Sequence, residues 1–334
     1  MVIWGVCSGK AAAHTPKHLV FELASRSKST QSTQAGAVQQ TVVIPHSSET
    51  DRPDGEIVDA IRDNLRQYYR CLGRSPAVAF HEDGELGWLS TGITPLTYLN
   101  AVFFTRLPVA RVDQAVHSII AWFRARDIRR FSWWVDESSR PVYLPAFLQA
   151  HCLFYVSGEA GMALDLTRWQ AESSTIPGLL IEPVASAAQL QAFARATIAG
   201  FELPPGYTDR WVAIHAGLEG DPPLYSYLAT LNGEPVGCAQ LFMAGQVAGI
   251  YDVAVVPGRR GLGLGRLLTA AALQEARTLG ATLAVLHASP MGEGLYTRLG
   301  FREYCRMGRF LWDGEHVLGL ENHANDRRQQ AAKR

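Results

Sequence analysis

Apolar positions recur at two different periods along this chain, and each change of period marks a predicted element. Over 57–69 they fall at the 3.6-residue spacing of a helix. They do so again over 109–127, where Val112, Ala115, Val116, Ile119, Ile120 and Phe123 share one side. Short apolar or alternating runs at 78–81, 85–90, 101–106 and 131–135 predict strands. A short helix is expected at 144–149 and a last strand at 162–166. The mostly polar stretch 167–178 ends in Ile176-Pro177-Gly178 and reads as a linker. Beyond it, 179–182 predicts a strand, and Ser186 is the expected N-cap of a helix running to 198. The glycines and prolines of 200–207 break that helix, and Thr208-Asp209 opens another over 211–218.

The middle of the second half reads as a meander. Runs at 224–231 and 234–243 flank Asn232-Gly233, a strong hairpin signal. Gly245-Gln246 turns the chain into a third strand, 247–256. The next helix carries Leu264, Leu267, Leu268, Ala271, Ala272 and Leu279 on one side, and Gly280 ends it. The run 282–288 is nearly all apolar, as in a strand buried on both faces. Strand, helix, strand implies a parallel pair with a right-handed crossover. The order of elements in 52–166 repeats the order in 179–315, so an internal duplication is expected. Pro108 stands where Pro257 does, but the first copy has no glycine beside it, and Phe147 falls near the place of Tyr296. Trp133-Trp134 is read as core packing in preference to pocket lining.

Chemistry concentrates in 255–268, where an apolar strand enters a turn rich in glycine and arginine that opens into the helix. Glycine leaves main-chain N–H groups uncovered and tolerates positive φ. A helix start adds unpaired donors and a partial positive charge. Together they make a phosphate cradle. A dinucleotide fingerprint needs glycine where Arg266 stands, and a P-loop needs Gly-Lys followed by Ser or Thr; neither fits. Arg260, Gly263 and Gly265 do satisfy R/Q-x-x-G-x-G/A, with Val255 and Pro257 upstream as V-x-P. This resembles the acetyl-CoA diphosphate loop of the GNAT N-acetyltransferase superfamily. A second segment, 289–301, resembles that family's late helix ending in L-G-F, with Gly300 as the helix stop.

The resemblance implies a fold of α/β class: two GNAT-like domains in tandem, each a mixed, mostly antiparallel sheet flanked by helices. The first, 52–166, would be a degenerate copy without the phosphate loop, and the second, 179–315, the catalytic one. It implies acetyl-CoA as co-substrate, gripped by Arg260, Gly261, Leu262, Gly263, Leu264, Gly265 and Arg266. The pantetheine arm would run between two splayed strands beside the main chain of Val253 and Val255, with the Val253 N–H polarising the thioester carbonyl. Tyr296 would protonate the departing thiolate. Ser289 replaces the asparagine frequent in the family, which alters one contact to the arm. The turn between the first two helices of the domain often closes over the acceptor, which makes Phe201, Glu202 and Tyr207 acceptor-pocket candidates. Tyr251 and Asp252 join them from the third strand. Strand alternation alone puts Tyr251, not Asp252, on the face of Val253 and Val255 unless a bulge intervenes. Asp252, Glu202, Glu293 and His287 are the candidates to take the amine's proton. The implied activity is direct acetyl transfer to a primary amine. A CoA-binding sensor or assembly module without turnover, and a transferase of another acyl or aminoacyl group, stay open.

Composition sets limits around this reading. A chain of 334 residues suggests two domains. Lys and Arg number 31 against 31 Asp and Glu, so no overall field draws nucleic acid or a membrane surface. No apolar run approaches the ~20 residues of a membrane span. Cys7, Cys71, Cys152, Cys238 and Cys305 are scattered and lack metal-ligand spacing, so reduced thiols, no metal and a cytoplasmic location are expected. Residues 1–51, rich in Ser, Thr, Gln and Ala, are expected to form a disordered extension, and 316–334 a basic flexible tail. The expected partner is a small-molecule or peptide amine, with the chain a monomer or homodimer.

Overall fold

Among the described residues eleven strands hydrogen-bond into one mixed sheet flanked by helices, a single continuous sheet where the resemblance implied one for each half. The computed structural model describes residues 52–171, 176–218 and 224–314; the expected extension, the tail and part of the linker lie outside them. The first half runs α1 (Asp54–Leu72), β1 (Ala79–Glu82), β2 (Leu86–Ser90), β3 (Asn100–Thr105), α2 (Val109–Arg124), β4 (Arg130–Val135), α3 (Leu144–Ala150) and β5 (Leu153–Asp165). The second runs β6 (Leu179–Pro183), α4 (Ala187–Gly200), a 3-10 turn (Pro205–Tyr207), α5 (Thr208–His215), β7 (Leu224–Leu231), β8 (Glu234–Ala244) and β9 (Val247–Val255). It continues with a second 3-10 turn (Pro257–Arg259), α6 (Leu264–Thr278), β10 (Leu283–Ala288), α7 (Glu293–Arg298) and β11 (Arg302–Asp313). Among the described residues no helix is long and apolar enough to cross a membrane.

Local chemistry accounts for many of these boundaries. Asn232 (φ 52°) and Gly233 (φ 84°) make the hairpin turn that joins β7 to β8. Ser186 Oγ accepts the Gln189 N–H at 3.2 Å and caps α4. Gly300 (φ 98°) stops the chain after α7 and sends Phe301 into β11.

The strand order is β1-β2-β3-β4-β11-β5-β10-β9-β8-β7-β6. The first half's last strand, β5, pairs with β10, while the second half's last strand, β11, pairs with β4. β5 and β11 also pair with each other, antiparallel, at the centre. The linker at 167–178 is therefore a boundary along the chain and not in the sheet. β5 begins at Leu153, well before the expected 162, because Gly158 and Gly161 interrupt its apolar run. Gly161 fits there because a Cβ would collide with Cys305 Sγ on β11.

Two parallel pairs splay. β9 and β10 pair only from Val247/Leu283 to Gly249/Val285, then part. β3 and β4 pair only at Ala101/Ser132 and Val102/Trp133. In that first-half gap lies Arg140, whose N–H donates to Thr105 O at 2.9 Å and whose carbonyl accepts from Leu107 N–H at 3.1 Å. The gap between β9 and β10 opens instead into the cavity described below.

Helix α1 packs on the second half. Its Asn64 Nδ2 donates to Val247 O at 3.0 Å on β9. Its Tyr68 joins a core with Phe201, Cys238, Phe242, Tyr251 and Ala254 on one face of the sheet. The other face packs Val253, Leu241 and Ile250 against Leu264, Leu268 and Ala272 of α6. Trp133 and Trp134 are core residues in separate clusters, and Trp133 Nε1 donates to Thr105 Oγ1 at 3.0 Å.

Candidate active site

The glycines at the start of α6 are there for conformation. Gly261 and Gly263 both sit at φ +80°, where other residues are strained, and a Cβ on either would meet nothing within 4 Å. The first bond that closes the turn is Leu267 N–H to Gly263 O, 3.1 Å. Among the described residues no protein acceptor takes the amides of Gly261, Leu262, Gly263, Leu264 or Gly265. Open donors and the positive end of a 15-residue helix thus face the same space, with no acidic residue in the first turn. Gly265 serves closeness instead, since a Cβ there would lie 3.2 Å from Leu295 Cδ1 on α7.

That space is a cavity of about 400 Å³. It is lined by Val253, Val255, Arg260, Gly261, Gly263, Leu264, Gly265, Arg266, Ser289 and Tyr296, all named from the sequence. Leu262 alone of the loop candidates is not in the lining, and it is 52% exposed. Gly200, Ala254, Arg259, Met291, Gly292, Leu295 and Arg298 line it as well and were not singled out. Their only sequence signal is proximity to the two motifs, or for Gly200 its place at a helix end.

Arg260 lines the cavity, and its guanidinium is held by protein acceptors. It donates to Glu202 Oε1 at 2.6 Å, to Gly200 O at 2.8 Å and to Val255 O at 3.2 Å, so it braces the end of α4 against β9. These bonds fix the position of the side chain at the edge of the loop. Glu202 (φ 54°) is that brace's anchor.

Tyr296 is 1% exposed, with its ring edge-on to Phe301 at 5.8 Å. Burial pushes its phenol well above the ordinary range, opposed by a hydrogen bond with the Thr269 side chain. The hydroxyl is therefore protonated throughout the neutral range. Ser289 Oγ accepts the Gly292 N–H at 3.3 Å and is tied to the turn before α7.

At the cavity wall, β9 carries a bulge. Gln240 pairs with Tyr251 and Cys238 with Ala254, so Asp252 and Val253 together face the single residue Ala239. Asp252 absorbs the extra residue at φ +49°. The bulge turns Tyr251 away from the face of Val253 and Val255, against the simple alternation expected of the strand. Tyr251 stacks on Tyr68 of α1, with ring centroids 4.0 Å apart and planes 8° apart. Its hydroxyl donates to Asn64 Oδ1 at 2.7 Å.

Asp252 is 1% exposed. Its Oδ2 lies 3.0 Å from the Tyr68 hydroxyl, which is also 3.1 Å from Gln240 Oε1 and has one proton to give. Asp252 Oδ1 has no hydrogen-bond partner among the described residues. Burial raises the carboxyl to about 6, against the lowering effect of the Tyr68 hydrogen bond. His287 on β10 is also buried; neither ring nitrogen has a hydrogen-bond partner among the described residues, and burial holds it down to about 3. Glu293 is occupied by Arg306 at 3.1 Å. Of the acceptor candidates, Phe201 and Tyr251 share one core cluster, which Asp252 adjoins through Tyr68. Tyr207 packs against the same cluster, and its hydroxyl hydrogen-bonds with Thr94 Oγ1 at 2.7 Å.

The family model for the acetyltransferase (GNAT) family matches residues 191–301, a span that holds the bulged strand, the open helix start and Tyr296. Residues 191–301 form a GNAT domain. The solved GCN5-related N-acetyltransferase from Kribbella flavida is 25% identical, with a TM-score of 0.56 over 78% of this chain and 98% of that one. A functionally unknown conserved protein from Staphylococcus epidermidis shares the fold at 13% identity and a TM-score of 0.52, covering 70% of this chain and 92% of its own. A glucosamine N-acetyltransferase region of a fungal multi-domain GH3 β-N-acetylglucosaminidase shares it at 12% identity and a TM-score of 0.52, covering 77% of this chain and 37% of that one. No curated protein matches the chain. The family match over 191–301 and these neighbours support an acetyltransferase fold for that part of the chain.

Proposed function

We propose that the chain is an acetyl-CoA-dependent N-acetyltransferase that moves the acetyl group to a primary amine by direct attack. The observation that carries this reading is the cavity at the start of α6. It joins the amides of Gly261, Gly263, Leu264 and Gly265, without a protein acceptor among the described residues, to the main chain of the splayed β9 and to the Tyr296 side chain. Gly261, Gly263 and the first turn of α6 hold the diphosphate, since no side chain covers their N–H groups. Val253 and Val255 present main chain to the arm. Bound there, acetyl-CoA supplies an acetyl thioester.

The chain's own groups then serve both proton movements. The amine nitrogen attacks the carbonyl carbon and the carbon–sulfur bond breaks. Tyr296 gives its proton to the leaving sulfur. The main-chain N–H of Val253, one of the two bulged residues, polarises the carbonyl. Asp252, ionised above about 6, takes the proton released by the amine, directly or through water. The first half is a degenerate copy over 52–166, and 179–315 is the catalytic copy. Arg140 in the gap between β3 and β4, and Phe147 in α3, support that assignment.

The test incubates purified protein with acetyl-CoA and a panel of small amines and peptides, following free thiol and acetylated product by mass spectrometry. The expected result is thiol release that depends on amine and yields an N-acetyl product. Acetyl-CoA uptake with no acetylated product across the panel would overturn transfer and favour a sensor.

A further inference from the structure

A second cavity, of about 380 Å³, shares no lining residue with the one at the start of α6. Its apolar wall includes Val78, Trp122 and Ile128, all from the first half. Two arginines reach it from different halves: Arg126 follows α2, and Arg210 belongs to α5. The Arg126 guanidinium lies over the Trp122 ring, 3.8 Å from its centroid, and donates to Trp122 O at 3.2 Å. Arg210 is held by main-chain carbonyls, donating to Thr91 O at 2.7 Å and to Ala77 O at 2.6 Å. Both guanidiniums keep further N–H donors, and neither meets a carboxylate among the described residues. No Asp or Glu lines the cavity. Two like charges in one concave wall raise the local potential, and an anion lowers it.

We propose that this cavity binds a small phosphate monoester, with the phosphate against Arg126 and Arg210 and the organic body against Val78, Trp122 and Ile128. The inference is independent of the acetyltransferase reading. A guanidinium fork matches phosphate oxygens two at a time. Two positive charges answer the charge of about −2 that a monoester carries at neutral pH. Thr94 Oγ1, also in the lining, is 2.7 Å from the Tyr207 hydroxyl and gives its own proton to the ester when Tyr207 donates to it. The carbonyls that fix Arg210 and the ring beneath Arg126 order both cations before any ligand arrives, which lowers the cost of binding. The volume suits a small molecule, within the range of roughly 300–1,000 Å³ common to ligand pockets. A carboxylate on the same body would bring one charge in place of two, and inorganic phosphate would leave the apolar wall bare. Because α5 supplies Arg210, the ligand ties the first half to the second.

Two variants at exposed positions of the lining test the site without touching the core: Arg126→Gln removes one cation, and Ala79→Glu adds a carboxylate. The measurement is calorimetry of phenyl phosphate, benzoate and inorganic phosphate with the full chain. Acetyl-CoA is present in excess to occupy the α6 cradle, and thermal unfolding is followed on the same samples. The proposal expects one phenyl phosphate per chain, bound more tightly than either other probe. It expects each variant to lose about tenfold or more in phenyl phosphate affinity at an unchanged unfolding midpoint. No heat from phenyl phosphate with the wild type would overturn the proposal. So would wild-type affinity in both variants, or benzoate or inorganic phosphate binding as tightly as the ester.

Discussion

The Tyr68 hydroxyl lies 3.0 Å from Asp252 Oδ2, although 184 positions separate the two residues in the chain. One belongs to the first helix of the first half, the other to the bulged strand of the second. The two halves are therefore interdependent at the carboxylate. They are interdependent again at the centre of the sheet, where β5 and β11 each complete the other half's strand order.

Asp252→Asn should stabilise the protein above neutral pH while slowing it. The folded state holds this carboxyl at about 6 against an ordinary 3.8. Below 3.8 it is neutral whether folded or not, and burial carries no charge penalty. As pH rises through about 6 the folded state must hold a buried charge, and stability is lost, on the order of 2–3 kcal/mol. The asparagine variant should unfold at higher temperature than wild type at pH 7.5, with the two curves converging near pH 4. His287, held neutral to about 3, has the opposite dependence but is common to both proteins and cancels. Turnover should fall by about 10²-fold or more, and the wild-type rate should decline as pH drops through about 6. Unfolding midpoints that stay parallel across pH would contradict the assignment.

Tyr296→Phe keeps the ring that packs on Phe301 and removes only the proton donor. Turnover should fall by about 10²-fold, within the usual range for a lost general acid, with acetyl-CoA affinity nearly unchanged. Stopped-flow thiol release and calorimetry on one preparation would check both. An unchanged rate across pH would remove Tyr296 from the chemistry.

Gly200→Ala tests how closely α4 must approach β9. A Cβ at that position would lie 2.7 Å from Ala254 Cβ and 3.3 Å from Val255 N, so helix or strand has to shift. The expected loss is about 1–3 kcal/mol, as for other overpacked sites. Acetyl-CoA should also bind less tightly, because Gly200, Ala254 and Val255 all line the cavity. Denaturant titration with and without acetyl-CoA measures both effects.

Much of this was legible in the letters because it is local. The Asn232-Gly233 turn, the Ser186 cap, the Gly280 and Gly300 stops and the glycine cradle each follow from what a residue does to its own backbone. What escaped is long-range. The periodicity of α1 tells which side is apolar, but nothing in it says that this side packs on β9 of the other half. The exchange of β5 and β11 has no letter of its own, and the glycines that permit their close approach hide the start of β5. The bulge at Asp252 leaves no trace in an alternating pattern, so the turning of Tyr251 away from Val253 could not be read. Arg260 was legible as part of a phosphate loop; its brace on Glu202 and Gly200 depends on where α4 ends.

The central claim is that the open amides at the start of α6 hold the diphosphate of acetyl-CoA, and calorimetry tests it most directly. Wild-type protein should take up one acetyl-CoA per chain. Gly263→Asp should lose at least tenfold in affinity, since it replaces a residue at φ +80° and adds a like charge beside the phosphates. No measurable heat with the wild type, or equal affinity in the aspartate variant, would contradict it.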